Sequence, residues 1–144
     1  MISKACKYGI RATIFIASKV NINEKPGVKE IAREIDAPEA FTAKILQSLN
    51  KKGIITSIKG PYGGFYCEEH QLSFPVIKVV EAIDGLSFFK ECALGLKSCS
   101  DSHPCPMHYQ YAKTRNQLLK TFQETTIRYL AGNLNNGSVY VNNL

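Results

Sequence analysis

Two short apolar stripes, parted by a proline and followed by a glycine-rich cluster, constrain this chain more than any other feature. Val28, Ile31, Ala32 and Ile35 stand at i, i+3, i+4 and i+7, the one-sided pattern of a short amphipathic helix. Asp36 and Ala37 interrupt it. Pro38 then fits the first turn of a second helix, where its missing N–H costs nothing. Phe41, Ile45, Leu46 and Leu49 form the buried stripe of that helix, which runs to Lys52, and Gly53 supplies the stop. Ile54–Lys59 and Phe65–Cys67 have strand character on either side of Gly60-Pro61-Tyr62-Gly63-Gly64. That turn cluster predicts a hairpin. A helix, a tight turn, a helix and a hairpin follow one another in the order of a winged helix-turn-helix.

The charge distribution gives this segment a partner. Residues 1–67 hold eleven Lys/Arg against five Asp/Glu, a net +6, whereas residues 68–144 hold seven of each. All the excess positive charge therefore lies in the half that carries the helices and the hairpin, which points to a polyanion. The plainer reading is a solvated basic face. The second helix carries Lys44, Lys51 and Lys52, and Lys59 stands beside the hairpin tip. A slim basic hairpin suits a DNA groove and its phosphates.

At 144 residues and 44% hydrophobic composition the chain is long enough for one ordinary domain with a real core, and it is not a disordered polymer. Ser3–Val20 is rich in Ala, Ile and Phe and predicts a largely buried helix capped by Ser3. Its scattered Lys4, Lys7, Arg11 and Lys19 argue against a signal peptide, and no apolar run is long enough to span a bilayer. The expected location is the cytoplasm. Phe74–Ile83 predicts a further helix. Met107 to about Gly132 predicts one long helix, with Tyr111, Leu118, Phe122 and Tyr129 on one side and Leu119, Thr126 and Leu130 widening it. A helix of that length at the end of a small chain needs a surface to bury against, and a second copy is the expected one. Asn133–Leu144 is polar and Asn-rich, an expected frayed tail.

Between these helices, Leu86–Pro106 shows no sustained periodicity, and three of the five cysteines fall in it. An odd cysteine count without a mark of secretion argues against a disulfide framework. Cys6 and Cys67 fit simple burial. Cys92, Cys99 and Cys105 are spaced C-x6-C-x5-C, with His108 as the third residue after the last. Thiolates are soft ligands for iron–sulfur clusters, zinc or cuprous copper. Structural zinc sites use closer pairs; the wide spacing suits a loop wrapped around a larger object such as a cluster. Three cysteines leave one ligand to find, and both His103 and His108 are near.

With these motifs in order, the chain resembles the Rrf-two family of winged helix-turn-helix regulators, which includes an iron–sulfur cluster regulator and a nitric-oxide-sensing repressor. The resemblance covers nearly the whole chain. It runs from Ser3-Lys4 to Arg11 with Tyr8, through Val28–Asp36, the Pro38–Gln47 stretch and Lys59–Phe65, to the cysteine loop and the last helix. It implies a mainly α fold with a small β-wing and a long C-terminal dimerisation helix. The implied divisions are a DNA-binding domain at 1–84, a cluster-binding loop at 85–106, a dimerisation helix at 107–132 and a tail at 133–144.

The resemblance also implies a homodimer on a double-stranded DNA operator. Pro38, Ala40, Phe41 and Lys44 would lie at the major groove, and Ser57, Lys59, Gly60, Pro61, Tyr62 and Gly63 at the wing. Lys59 takes the place of a wing arginine and lacks its planar fork. Tyr62 stands where glycine is usual, and Ala40 where the iron–sulfur regulator has a hydroxyl residue. The cluster ligands carry over to Cys92, Cys99 and Cys105. His108 sits as in the histidine-ligated branch, so [2Fe–2S] is favoured over [4Fe–4S]. The nitric-oxide-sensing branch has an acidic ligand near the N-terminus, where this chain has Lys7. The first cysteine interval is one residue longer than is common in the iron–sulfur regulator. The competing expectations are a small iron–sulfur electron carrier or redox enzyme, and a zinc-stabilised module for protein interaction.

Overall fold

A computed structural model describes residues 1–143. Helix α1 (Lys4–Ser18) begins at Ser3, whose hydroxyl accepts from the Cys6 N–H at 3.0 Å. This hydroxyl satisfies one of the orphan donors of the first turn. Helices α2 (Val28–Glu34) and α3 (Glu39–Lys51) form the helix-turn-helix. Pro38 does not enter the first turn of α3. It is the N-cap residue, with the extended backbone (φ −61°, ψ 135°) usual at that position. Strands β1 (Thr56–Ile58) and β2 (Gly64–Tyr66) pair antiparallel in the register Thr56 with Tyr66, Ser57 with Phe65 and Ile58 with Gly64. The strand expected from Ile54 is shorter at its start, since Ile54 N–H donates back to the Leu49 carbonyl at 2.9 Å and pairing with β2 begins at Thr56.

A short helix α4 (Glu69–Leu72) follows the wing. Its capping box lay in the sequence as Glu68 and Gln71 and was not foreseen. Gln71 is buried and makes three side-chain hydrogen bonds. Its Oε1 accepts from the Glu68 N–H at 2.8 Å and the Thr56 hydroxyl at 2.9 Å, and its Nε2 donates to the Gly53 carbonyl at 3.0 Å. One side chain thereby ties the wing to the end of α3.

Helix α5 (Ile77–Ile83) leads to Phe89, which is buried with Cys6 and Val80 in a small second core. The cysteine loop follows and ends at α6 (His108–Glu124). The single helix expected over 107–132 is in fact two. Thr125 is extended, and α7 (Ile127–Asn135) restarts with Thr126 as its N-cap, accepting from the Tyr129 N–H at 3.2 Å. Two backbone hydrogen bonds hold the break: Val76 N–H to the Thr125 carbonyl at 2.8 Å and Ile127 N–H to the Phe74 carbonyl at 2.9 Å. The seven- and four-residue spacings therefore do not describe one stripe. Phe122 packs on Phe89 (ring centroids 5.4 Å apart), whereas Tyr129 is exposed.

Helix α1 is the centre of the molecule, packed against α7, α5, α3 and α2. Ile16, Ile31, Ile35, Leu46, Leu49, Val79 and Ile127 are fully buried together. The C-terminal stretch is not frayed as expected. Asn133–Asn135 complete α7, Val141 packs on the main core, and Asn143 donates to Asp36 at 3.2 Å. An apolar side chain and a carboxylate within reach give the polar tail something to hold. Leu144 lies outside the described residues. Among the described residues no helix is long and apolar enough to cross a membrane.

The wing depends on a close approach at Gly64. Its backbone runs against Lys25 and Pro26, Phe65 N–H donates to the Pro26 carbonyl at 2.9 Å, and a Cβ at Gly64 would overlap the Lys25 carbonyl oxygen. Because the obstruction is backbone, it cannot swing aside. Gly64→Ala should therefore destabilise the protein by about 1–3 kcal/mol, seen as a lowered midpoint in chemical denaturation.

Candidate metal centre and nucleic-acid interface

The loop from Lys90 to Met107 is held at both ends. At its start, Arg115 of α6 donates through Nη1 to the carbonyls of Lys90 (3.3 Å) and Glu91 (2.9 Å), just ahead of Cys92. At its end, His108 N–H donates to the Cys105 carbonyl at 3.0 Å as α6 begins. Closing the loop this way brings together the three sulfurs of Cys92, Cys99 and Cys105, all within 4.8 Å of one another. Cys92 and Cys105 are 3.5 Å apart. His108 Nδ1 lies 3.1 Å from the Cys99 sulfur. Its Nε2 lies 2.9 Å from Asp101 Oδ1. His103 is exposed and joins the turn through its backbone, pairing with Ser100. Of the two histidines left open by spacing, His108 is the one beside the thiols.

The electrostatics separate Cys92 from the structural thiols Cys6 and Cys67. Backbone N–H groups of Leu96 and Leu94 point at the Cys92 sulfur and lower its pKa to about 7. Burial raises the Cys105 thiol, with the Met107 N–H opposing. Cys6 and Cys67 are pushed up to about 12 by burial, and for Cys6 the Asp84 charge adds to this. A thiol with a lowered pKa and N–H donors on its sulfur, beside two others, is a donor set for a soft metal or an iron–sulfur cluster.

In the winged body, α3 buries Thr42, Ile45, Leu46 and Leu49 and turns Ala40, Lys44, Gln47 and Lys51 outward. Those four positions recur at intervals of four, three and four, one face of a helix. Pro38 is exposed at its head. Phe41 is only half free, because its ring meets Tyr8 edge-on at 5.7 Å, and Arg11 lies over the Tyr8 ring at 4.7 Å. The packing of α1 at the head of α3 leaves no mark in motifs taken one segment at a time. In the wing, Ser57 is half-buried in β1, and Gly63 N–H donates to the Gly60 carbonyl at 3.0 Å. Gly60 holds φ +108°, a conformation that favours glycine. Lys59, Pro61 and Tyr62 are exposed at the tip, Tyr62 almost completely at 95%.

The model of the family described as "Rrf2: Iron-dependent Transcriptional regulator" matches residues 2–133. The chain belongs to this family. Rrf2 regulators bind DNA and are not enzymes, which removes the redox-enzyme alternative. The chain is 28% identical over 130 residues to a "Putative HTH-type transcriptional regulator" of Aquifex aeolicus, with 89% of each covered. Its fold is similar to that of CymR (YrzC), the global cysteine regulator of B. subtilis. That match has a TM-score of 0.75 at 20% identity and covers 92% of this chain and 96% of that one. It is also similar to that of T. potens IscR, with a TM-score of 0.73 at 16% identity, covering 96% and 91%. The winged helix-turn-helix reading of the fold agrees with both structures.

The thiol environments make a direct prediction. In metal-free, reduced protein near pH 7, iodoacetamide should label Cys92 ahead of Cys6 and Cys67, which stay unlabelled until unfolding. The Cys92 rate should fall about tenfold per pH unit well below 7, as the reactive thiolate is lost. Peptide mass spectrometry across a pH series checks it.

Proposed function

We propose that this chain is a homodimeric transcriptional regulator whose DNA affinity follows the state of an iron–sulfur cluster held by Cys92, Cys99, Cys105 and His108. The observation that carries this reading is the convergence of three thiols within 4.8 Å, with a histidine nitrogen 3.1 Å from one of them, at the root of α6. The soft donors and the lowered Cys92 pKa fit such a group, and the family is described as iron-dependent. One histidine with three cysteines favours [2Fe–2S], for which imidazole ligation has chemical precedent. When bound, the cluster supplies an electron-accepting centre sensitive to oxidants.

The chain's own residues supply the rest. Helix α6 has 17 residues and none of them is buried, which supports a second copy as its partner. Pro38, Ala40, Phe41 and Lys44 would meet the major groove. Ser57, Lys59, Gly60, Pro61, Tyr62 and Gly63 would follow the backbone into the adjacent minor groove. The cysteine loop joins the winged body to α6, so ordering it changes how the two recognition helices of a dimer are held. A difference of about 1–3 kcal/mol between the two states gives a 5–150-fold change in affinity.

Protein purified without oxygen should be brown and contain iron and acid-labile sulfide, and Cys99→Ala should abolish both. An unaltered visible spectrum in that variant removes Cys99 from the ligands. The 3.5 Å Cys92–Cys105 separation also supports a second reading. Two thiolates on one tetrahedral zinc lie about 3.8 Å apart, from a bond of about 2.3 Å. Stoichiometric zinc without sulfide would establish that reading instead.

The DNA surface has its own test. Lys59→Ala should weaken operator binding and reduce the slope of log affinity against log salt by about 1 per protomer, as one phosphate contact is lost. An unchanged slope in a fluorescence-anisotropy titration takes the wing out of the interface.

A further inference from the structure

We infer that Asp101 is a positioning residue: it sets the tautomer of His108 and so makes Nδ1 the atom this histidine presents to the thiol cage. The inference rests on the cluster reading above for the ligand, but its geometry stands on the protein alone.

His108 is gripped from one short segment of the loop. Cys99 Sγ lies 3.1 Å from Nδ1, and Asp101 Oδ1 lies 2.9 Å from Nε2, two residues further along. A neutral imidazole carries one N–H and one lone pair, and an ionised carboxylate can only accept. In the neutral ring this geometry places the proton on Nε2, donated to Asp101, and turns the in-plane lone pair of Nδ1 toward the sulfurs. Ligating histidines elsewhere are held the same way, with the second ring nitrogen donating to a carboxylate that fixes orientation and raises basicity.

The supports of this arrangement are also in place. The His108 side chain is nearly buried at 9% exposure, and the Tyr109 ring stands edge-on to it at 5.0 Å. Asp101 is aimed by a tight turn in which Ser100 N–H donates to the His103 carbonyl at 3.2 Å and His103 N–H donates back at 3.1 Å. The Ser100 and Ser102 hydroxyls on either side of Asp101 lie 3.1 Å apart. The carboxylate itself is exposed, so its effect is on the direction and tautomer of the ring and belongs at the low end of such interactions.

The experiment compares wild type with Asp101→Ala and Asp101→Glu. Nitrogen-15 NMR of the full-length, metal-free, reduced protein at pH 8 reads the His108 tautomer. Transfer of iron to a chelator from anaerobically reconstituted protein reads retention of the group. Wild type should show the Nε2–H form, Asp101→Ala a mixture, and Asp101→Glu a return toward wild type. Iron loss should be roughly tenfold faster in Asp101→Ala and partly restored in Asp101→Glu. An Asp101→Ala protein with the wild-type tautomer overturns the inference, even if it loses iron faster, because that result marks only a loop-shaping role. A wild type that takes up neither iron nor sulfide overturns the cluster reading instead, and the metal-free tautomer still decides whether Asp101 orients His108.

Discussion

Two backbone hydrogen bonds between the Phe74–Val76 segment and Thr125–Ile127 decide where the C-terminal half of this molecule goes. They break what would otherwise be a single helix, and they send α7 back onto α1, where Ile127 becomes fully buried. Because the chain returns to the winged body there, α6 is held at its far end, and Phe122 is brought against Phe89. The segment between Phe89 and His108 is left as a closed loop of fixed span. Arg115 then fastens the start of that loop to the same helix that ends it. The meeting of the three thiols follows from this closure, since their spacing along the chain is too irregular for any single helix or strand to align them.

The same closure explains why Cys92 differs from the two cysteines of the packed body. Cys6 and Cys67 lie in packed apolar surroundings that disfavour the thiolate and move both pKa values to about 12. Cys92 sits on an irregular backbone whose free N–H groups turn toward its sulfur and bring it to about 7. The interior of a regular helix would have spent those N–H groups on its own carbonyls. The irregular loop thus supplies N–H donors to the sulfur as well as a connection.

The candidate nucleic-acid surface obeys a different constraint. Four buried side chains hold one face of α3 to the core, and helical geometry then leaves Ala40, Lys44, Gln47 and Lys51 pointing the other way. The wing is short, so its position depends on contacts outside the hairpin: Gln71 beneath β1, and Pro26 beside Gly64. The surface is thus built from three separate parts of the sequence, with Tyr8 and Arg11 of α1 packed at the head of α3.

Local pattern was enough for what local forces control. The apolar spacing from Val28 to Leu49 and the Gly60–Gly64 cluster specified the helix-turn-helix and the hairpin, because each buries one face and turns where glycine permits. The ligand-type cysteines were legible as a trio with His103 and His108 as the open choice. The choice between the histidines needed the fold, since it depends on which ring the closed loop carries to the sulfurs. Asp101 and Arg115 left no mark in the spacing, as a lone carboxylate and a lone guanidinium occur everywhere in a soluble sequence. The break at Thr125–Thr126 was written locally as an N-cap threonine before Ile127, yet the apolar repeat ran across it. Only the tertiary structure decided between them, because the hydrogen bonds that stabilise the break come from residues some fifty positions earlier in the chain. The docking of residues 141–143 was likewise invisible in a polar tail, for it exists only where Arg11 and Asp36 are brought within reach.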